Sequence, residues 1–318
     1  EKHSLYLVIA ISVALAVFYV PMHIWDKFSG WLLAASFILL TIILIDGVGV
    51  KAKAAVRWLA VGPFTLQVSE VAKIGVVMYL SSYLVRQSAF VRSHFFGFLN
   101  PMAVIAAMVV LLLFQPDFGA AAVLMATALT LLFLGGVKIW QFFCVIVVCV
   151  AAGAGMILSA EYRLNRFIAY FDPWSYQDGG AYQLIQSLIA IGRGDWFGLG
   201  LGNSIQKQFF LPEAHTDFIF ALVAEELGLV GCVALLLLYA LMLGRILFIA
   251  RRAEVHDRPF SAYIAYGTLM IFSLQLFINV GVSTGLLPTK GLTLPFMSYG
   301  GSSLLVSCIF IALVLRLN

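Results

Sequence analysis

The chain has 318 residues, 63% of them hydrophobic and only 11% charged, with a net charge of +4 and a mean hydropathy of +1.03. Soluble domains carry about 25% charged residues, so a soluble globular fold is excluded. No basic cluster is built for nucleic acid, and the short alternating segments of a transmembrane β-barrel are absent.

Apolar runs of 18 residues or more recur along the whole length, each enough to cross a hydrocarbon core of about 30 Å as a helix. Backbone groups in lipid must be satisfied within the protein. The expected fold class is therefore an all-α polytopic membrane protein, one integral membrane domain over 1–318. Nine spans are predicted, at 4–21, 29–47, 68–86, 98–114, 118–135, 139–158, 217–249, 260–281 and 298–317. The seventh is too long for one straight crossing, so tilt or an extension beyond the bilayer is expected. Glu1-Lys2-His3-Ser4 runs straight into apolar sequence without a cleavage pattern, which does not read as a cleavable signal. Cys144, Cys149, Cys232 and Cys308 lie inside apolar runs and read as packing residues.

Loop cations divide almost evenly between the two sides. The cluster Arg245, Arg251, Arg252 and Arg258 is the clearest cytoplasmic anchor. It lies at the far end of the helix that follows Asp217, which places the long loop 159–216 outside.

Residues 48–67 read as a polar connection with Lys51, Lys53 and Arg57, broken by Gly62-Pro63. Ser69 is positioned to cap the next helix. Glu70 and Lys73, three apart, share a face and can pair; the pair either locks helix packing or lines a polar cavity. In Gln115-Pro116-Asp117-Phe118-Gly119, Pro116 stops one span and Asp117 can N-cap the next; an acid at such a break can also face a substrate groove.

The long loop carries Arg163, Arg166, Arg193 and Lys207 against Glu161, Asp172, Asp178, Asp195 and Glu213. Residues 183–191 are mildly amphipathic and are expected on the membrane surface. Gly192, Gly194, Gly198, Gly200 and Gly202 permit tight turns, but no GxGxxG fingerprint between strand and helix is present. Asp217 stands at the outer start of the seventh span, as a helix-start acid favoured by the dipole or as a functional group. Glu225 is eight residues on, about 80° round a helix at 100° per residue, and Glu226 about 180° round. On that phase Glu225 shares a cavity with Asp217 and Glu226 faces elsewhere. Downstream, Ser298-Tyr299-Gly300-Gly301-Ser302-Ser303 opens the last span. Its small residues allow close packing, and its helix start can hold an anion.

Taken together, Gln67-x-Ser-Glu-x-x-Lys73, Gln115-Pro-Asp-Phe-Gly119, Gly200-Leu-Gly-Asn203, Leu211-Pro-Glu-Ala-His-Thr-Asp-Phe-Ile-Phe220, Glu225-Glu-Leu-Gly228 and Pro295-Phe-Met-Ser-Tyr-Gly-Gly-Ser-Ser303 resemble the SEDS family (shape, elongation, division and sporulation) over nearly the whole chain. Pro212-Glu-Ala-His215 and Leu287-Pro-Thr-Lys-Gly-Leu-Thr-Leu-Pro295 are more similar to its division branch than to its elongation branch. The family has ten spans, so the resemblance implies that this chain starts at the second. The family's usual Asn-Gly-Ala-Arg before Arg-Trp is here Lys53-Ala-Ala-Val56 before Arg57-Trp58.

The resemblance implies a peptidoglycan glycosyltransferase of the bacterial cytoplasmic membrane at the division septum. It would polymerise lipid II beside a class B penicillin-binding protein and other divisome proteins. Asp217 matches the family's proposed catalytic carboxylate, as general base for the GlcNAc 4-hydroxyl. Arg57, Arg163, Arg166 and Lys290 are the cationic candidates for the leaving pyrophosphate, with Lys73 weaker because Glu70 can occupy it. Asp117, Glu225 and Ser302 join the substrate-binding set, and Glu213 and His215 are supporting neighbours. No residue cluster has metal-ligand spacing; a divalent cation stays open as the one cofactor. A lipid II flippase with Glu70, Lys73, Asp117 and Glu225 along its path, an elongation-type polymerase, and a scaffold that recruits the transpeptidase are the alternatives.

Overall fold

The computed structural model describes residues 2–45, 47–52, 55–62, 64–158, 161–176, 179, 181–288 and 291–317. Twelve α-helices follow in chain order: α1 Lys2–Tyr19, α2 Met22–Ile42, α3 Val68–Arg86, α4 Ser88–Ser93, α5 Phe95–Phe114, α6 Phe118–Leu134, α7 Ile139–Leu158, α8 Glu161–Phe171, α9 Tyr182–Gly194, α10 Ile219–Val255, α11 Pro259–Ser283 and α12 Gly301–Leu317. Among the described residues, α3, α5, α7, α10 and α11 are long and apolar enough to cross a membrane. The helices α1 and α2 meet at a bend of 116° beside Pro21, which cannot continue a helix ladder.

One segment departs from the helical expectation. Residues 48–67 hold a three-stranded antiparallel sheet, β1 Gly49–Ala52, β2 Ala55–Val61 and β3 Phe64–Gln67. Lys51 pairs with Val56 across β1 and β2, and Val61 with Phe64 across β2 and β3. The strands are too short for their alternation to stand out beside the membrane spans. The second helix also begins earlier than the predicted 29. Asp26, in the first turns of this helix, accepts from Ser82 Oγ at 2.6 Å and pairs with Arg86 at 3.2 Å.

The chain divides into two compact units. The first comprises residues 1–142, 243–273 and 300–318. Here α1 packs on α12, α2 on α3, and α6 on both α3 and α5. Gly75 lets α2 and α3 close up, since a Cβ there would come within 2.4 Å of Ser36 Oγ; lipid-embedded interfaces favour small residues for this reason. Phe272 and Phe310 meet edge to face at 6.2 Å in its core.

The second unit comprises residues 143–242 and 274–299. Its core joins Ala190, Leu211, Ala214, Phe218, Ala221, Leu222 and Val282. The apolar face of α9 is part of this core, with Leu184, Ile185, Ser187 and Ala190 buried. That corrects the expected surface helix: the amphipathic stripe faces protein rather than the lipid boundary. Ser187 Oγ donates to the Ser283 carbonyl at 2.8 Å, closing the end of α11.

The long seventh span is interrupted. Gly228 has φ 64° and ψ −165° inside α10, so the helical bonds from Leu229 to Glu225 and from Val230 to Glu226 cannot form. The 195–200 loop replaces both. Leu199 N–H and Gly200 N–H donate to the Glu225 and Glu226 carbonyls at 3.0 Å each, while Leu229 and Val230 N–H donate to the Asp195 and Trp196 carbonyls at 2.9 and 3.1 Å. The 195–200 backbone thus supplies four hydrogen bonds at the break, as peptide groups at membrane depth require partners. The exchange needs backbone to touch backbone. A Cβ on Gly228 would lie 2.5 Å from Gly198 N, and one on Gly198 2.2 Å from the Glu226 carbonyl oxygen. Gly198 also has φ +76°. The loop's Trp196, Phe197 and Leu201 side chains are exposed, while its main chain bonds α10.

Alanine at Gly228 or Gly198 is therefore expected to lower the thermal midpoint of the purified protein in detergent. Backbone strain alone costs about 1–3 kcal/mol at such positions, with the steric overlap added. Alanine at Gly155, which has open space around it, is the comparison and leaves the midpoint near that of the parent.

Candidate active site

In the first unit, the polar residues singled out from the sequence hold one another. Glu70 and Lys73 form a buried pair at 2.7 Å. Asp117 N-caps α6 through Oδ1, which accepts from Ala120 N at 3.3 Å, and its Oδ2 accepts from Ser69 Oγ at 3.0 Å. Ser69 is inside α3 and bonds Asp117; the helix cap position is Gln67, so the expected Ser69 cap is corrected. Arg57 on β2 donates through Nε to the Gln115 carbonyl at 3.1 Å and through Nη2 to the Pro116 carbonyl. It thereby covers carbonyls at the end of α5 that have no helical partner. Ser302 Oγ donates to the Thr65 carbonyl and accepts from Gln67 N, both at 2.9 Å, fastening the start of α12 to β3. These side chains have structural work in hand: they hold sheet and helices together where water is scarce.

In the second unit, Asp217 belongs to the turns over 212–218, two residues ahead of α10. Its N–H donates to the Glu213 carbonyl at 3.0 Å. Glu213 (φ +58°) and His215 are exposed beside it, and Thr216 Oγ1 donates to Glu213 Oε2 at 3.0 Å. Because α10 starts only at Ile219, helical phase does not carry back to Asp217. The phase argument for a cavity shared by Asp217 and Glu225 therefore does not apply. Glu225 is fully buried, and its carboxylate accepts from Ser204 Oγ, from Ile205 N at 3.2 Å and from Gln206 N at 3.3 Å. It fixes the turn at 204–206. Glu226 faces the other way, with Oε1 3.7 Å from Lys207 Nζ.

Three successive carbonyls around Asp217 are gripped from one side. His215 O accepts from Tyr299 N at 2.8 Å, Thr216 O from Ser298 Oγ at 2.5 Å and Asp217 O from Asn279 Nδ2 at 2.9 Å. Asn279 Nδ2 also donates to the Leu292 carbonyl at 2.8 Å, and Ser298 Oγ accepts from Leu294 N at 2.7 Å. Tyr239 Oη on α10 donates to the Pro295 carbonyl. The Asp217 carboxylate lies against Gly291, where a Cβ would come within 2.3 Å of Oδ2. The sequence marks Ser298 and Tyr299 only as part of a helix start and does not single out Asn279. A signal for Asn279 was present: Gln275, Asn279 and Ser283 recur at intervals of four, which puts them on one helix face.

Of the other candidates, Arg163 and Arg166 belong to α8. Lys290 lies outside the described residues. No group of three or more His, Cys, Asp or Glu among the described residues could hold a metal ion.

Residues 1–318 match the model of the FtsW/RodA/SpoVE family, described as cell cycle proteins. The probable peptidoglycan glycosyltransferase FtsW of Coxiella burnetii (strain RSA 493 / Nine Mile phase I) is 48% identical over 317 residues, covering 99% of this chain and 85% of its own. That of Thioalkalivibrio sulfidiphilus (strain HL-EbGR7) is 49% identical over 318 residues, covering 100% and 80%. Among solved structures, a chain from work titled "Structural coordination of polymerization and crosslinking by a peptidoglycan synthase complex" superposes with TM-score 0.82 at 28% identity, over 98% of this chain and 87% of that one. The rod shape determining protein RodA of Thermus thermophilus superposes with TM-score 0.71 at 26% identity, over 98% and 85%.

The buried pair gives a direct test of the structural role of α3. Lys73→Met leaves the Glu70 carboxylate buried without its partner and is expected to cost about 3–5 kcal/mol, while the double change Glu70→Gln with Lys73→Met costs less. Chemical or thermal unfolding of the purified variants reads the difference. Likewise, Glu225→Ala strands three donors of the 204–206 turn, at about 1–3 kcal/mol per stranded buried group, and limited proteolysis is expected to cut there first.

Proposed function

We propose how this chain, which belongs to the FtsW/RodA/SpoVE family of cell cycle proteins, carries out its reaction: Asp217 is the general base of glycan-strand polymerisation. The protein is a multi-pass membrane protein and a peptidoglycan glycosyltransferase. Its substrate on this reading is lipid II, whose sugar is presented at the membrane's outer face. Asp217 takes the proton of the GlcNAc 4-hydroxyl. The hydroxyl oxygen bonds to the anomeric carbon of a second, lipid-linked sugar, the bond from that carbon to the pyrophosphate breaks, and the electron pair leaves on undecaprenyl pyrophosphate. Such a base contributes about 10²–10⁴-fold. An inverting transfer needs one base and stabilisation of the leaving group, so it does not need the paired carboxylates of glycosidases.

The observation that carries the reading is the exposure of the acids. Glu70, Asp117 and Glu225 are buried, whereas Asp217 is half-buried on a rigidly held turn. Arg163 and Arg166 on α8, and Lys290 next to Gly291 in the chain, are the cations assigned to the departing pyrophosphate. Glu213 and His215 border the acceptor. The likeness to a chain of a peptidoglycan synthase complex supports a class B penicillin-binding protein as working partner, at the division septum.

Asp217→Asn keeps shape and removes the base. Incubated with lipid II in detergent beside the cognate transpeptidase, the variant is expected to lose polymerisation by at least about 100-fold while keeping its melting point and partner binding. Normal glycan product from a folded Asp217→Asn protein would sink the assignment. Detergent removes the two sides of a membrane, so product there also separates a polymerase from a flippase.

A further inference from the structure

We infer that Asn279 and Gly291 form the seat that aims the Asp217 carboxylate, with Asn279 acting as a positioning residue for glycosyl transfer. The inference rests on the general-base reading of Asp217 and adds a requirement to it: the base works only where this seat holds it.

Three observations carry it. First, Asn279 is buried near the C-terminal end of α11, yet both hydrogens of its amide go to main-chain carbonyls of other segments, Asp217 O at 2.9 Å and Leu292 O at 2.8 Å. Only the nitrogen satisfies two acceptors, so the amide orientation is set by the network. A carboxamide there draws the Asp217 turn and the 291–298 segment to one point. Second, the grip is continuous. The carbonyls of His215, Thr216 and Asp217 each receive a bond, from Tyr299 N, Ser298 Oγ and Asn279 Nδ2 in turn. The main chain that carries the carboxylate is therefore held at three successive points. Third, Gly291 is the floor beneath the carboxylate. A Cβ at that position would lie 2.3 Å from Oδ2, 2.9 Å from Cγ and 3.2 Å from Oδ1, so any larger residue evicts the whole group from its place.

A base must stand within hydrogen-bond reach of the proton it removes, and a misplacement of about 1 Å can cost on the order of 100-fold. The seat supplies that accuracy from residues that touch neither substrate nor the transferred proton. Its effect should fall on turnover rather than on lipid II affinity.

The test compares Gly291→Ala, Asn279→Ala and Asn279→Asp with Asp217→Asn, using the full chain, its transpeptidase partner and lipid II. Gly192→Ala is the control: it lies on α9 with nothing within 4 Å of an added Cβ. The expected result is a fall in kcat of at least about tenfold for all three seat variants with KM for lipid II little changed. A displaced acid limb of the kcat–pH profile accompanies it, because the base has new surroundings, and Gly192→Ala behaves as the parent. Gly291→Ala removes no bond, so its melting point separates misplacement from misfolding even where Asn279 variants fold poorly. Parent-like kcat and pH profile in a folded Gly291→Ala protein, with Asp217→Asn inactive, overturns the seat and leaves the base assignment standing. An active Asp217→Asn protein overturns both.

Discussion

A peptide group in hydrocarbon has no water to fall back on, and the second unit depends on how the break at Gly228 meets that constraint. At the opened helix the carbonyls of Glu225 and Glu226 and the N–H groups of Leu229 and Val230 are all taken up by the 195–200 strip of main chain. The contact is close enough that Gly198 and Gly228 exclude side chains from each other's backbone. The break thus anchors the long loop deep in the fold. From that anchor the chain runs to the 204–206 turn, held by the buried Glu225 carboxylate, then through Leu211 and Ala214 in the core to the turns that present Asp217. A lesion at the glycines would reach the site through this sequence of fixed points.

The acids of this chain differ less in chemistry than in company. Glu70 is neutralised by Lys73, Asp117 is a helix cap bound to Ser69, and Glu225 is a turn clamp. Each is satisfied inside the protein, which is what a buried charge requires. Asp217 is half-buried, its main chain held through the carbonyls of 215–217 and its carboxylate lying against Gly291. On the proposed reading, a fixed backbone keeps the base in place. Rigidity matters because preorganised groups do not have to reorient when charge develops.

Much of this was legible in the residues. Composition and run length made a polytopic helical membrane protein, the Glu70–Lys73 spacing announced an ion pair, and Pro116-Asp117 announced a helix stop and a cap; the family motifs led to Asp217. Other features were not legible. The sheet at 49–67 rests on strands of four to seven residues, too short for period-two alternation to stand out. Helical phase could not relate Asp217 to Glu225, because phase counts only inside a helix and α10 begins after Asp217. Placing α9 on the membrane surface failed because an amphipathic stripe does not say whether lipid or protein covers it.

What the sequence determined by itself is whatever follows from short-range physics: hydrophobic length, local capping, spacing of charges three residues apart, and the glycines that permit unusual backbone. Tertiary structure alone decided which of those groups meet. Gly198 and Gly228 stand 30 positions apart, and Asn279 stands 62 from Asp217; nothing in either neighbourhood names the other. Their contacts exist because buried carbonyls and amides had to find partners somewhere in the fold, and chain topology brought those particular ones within reach.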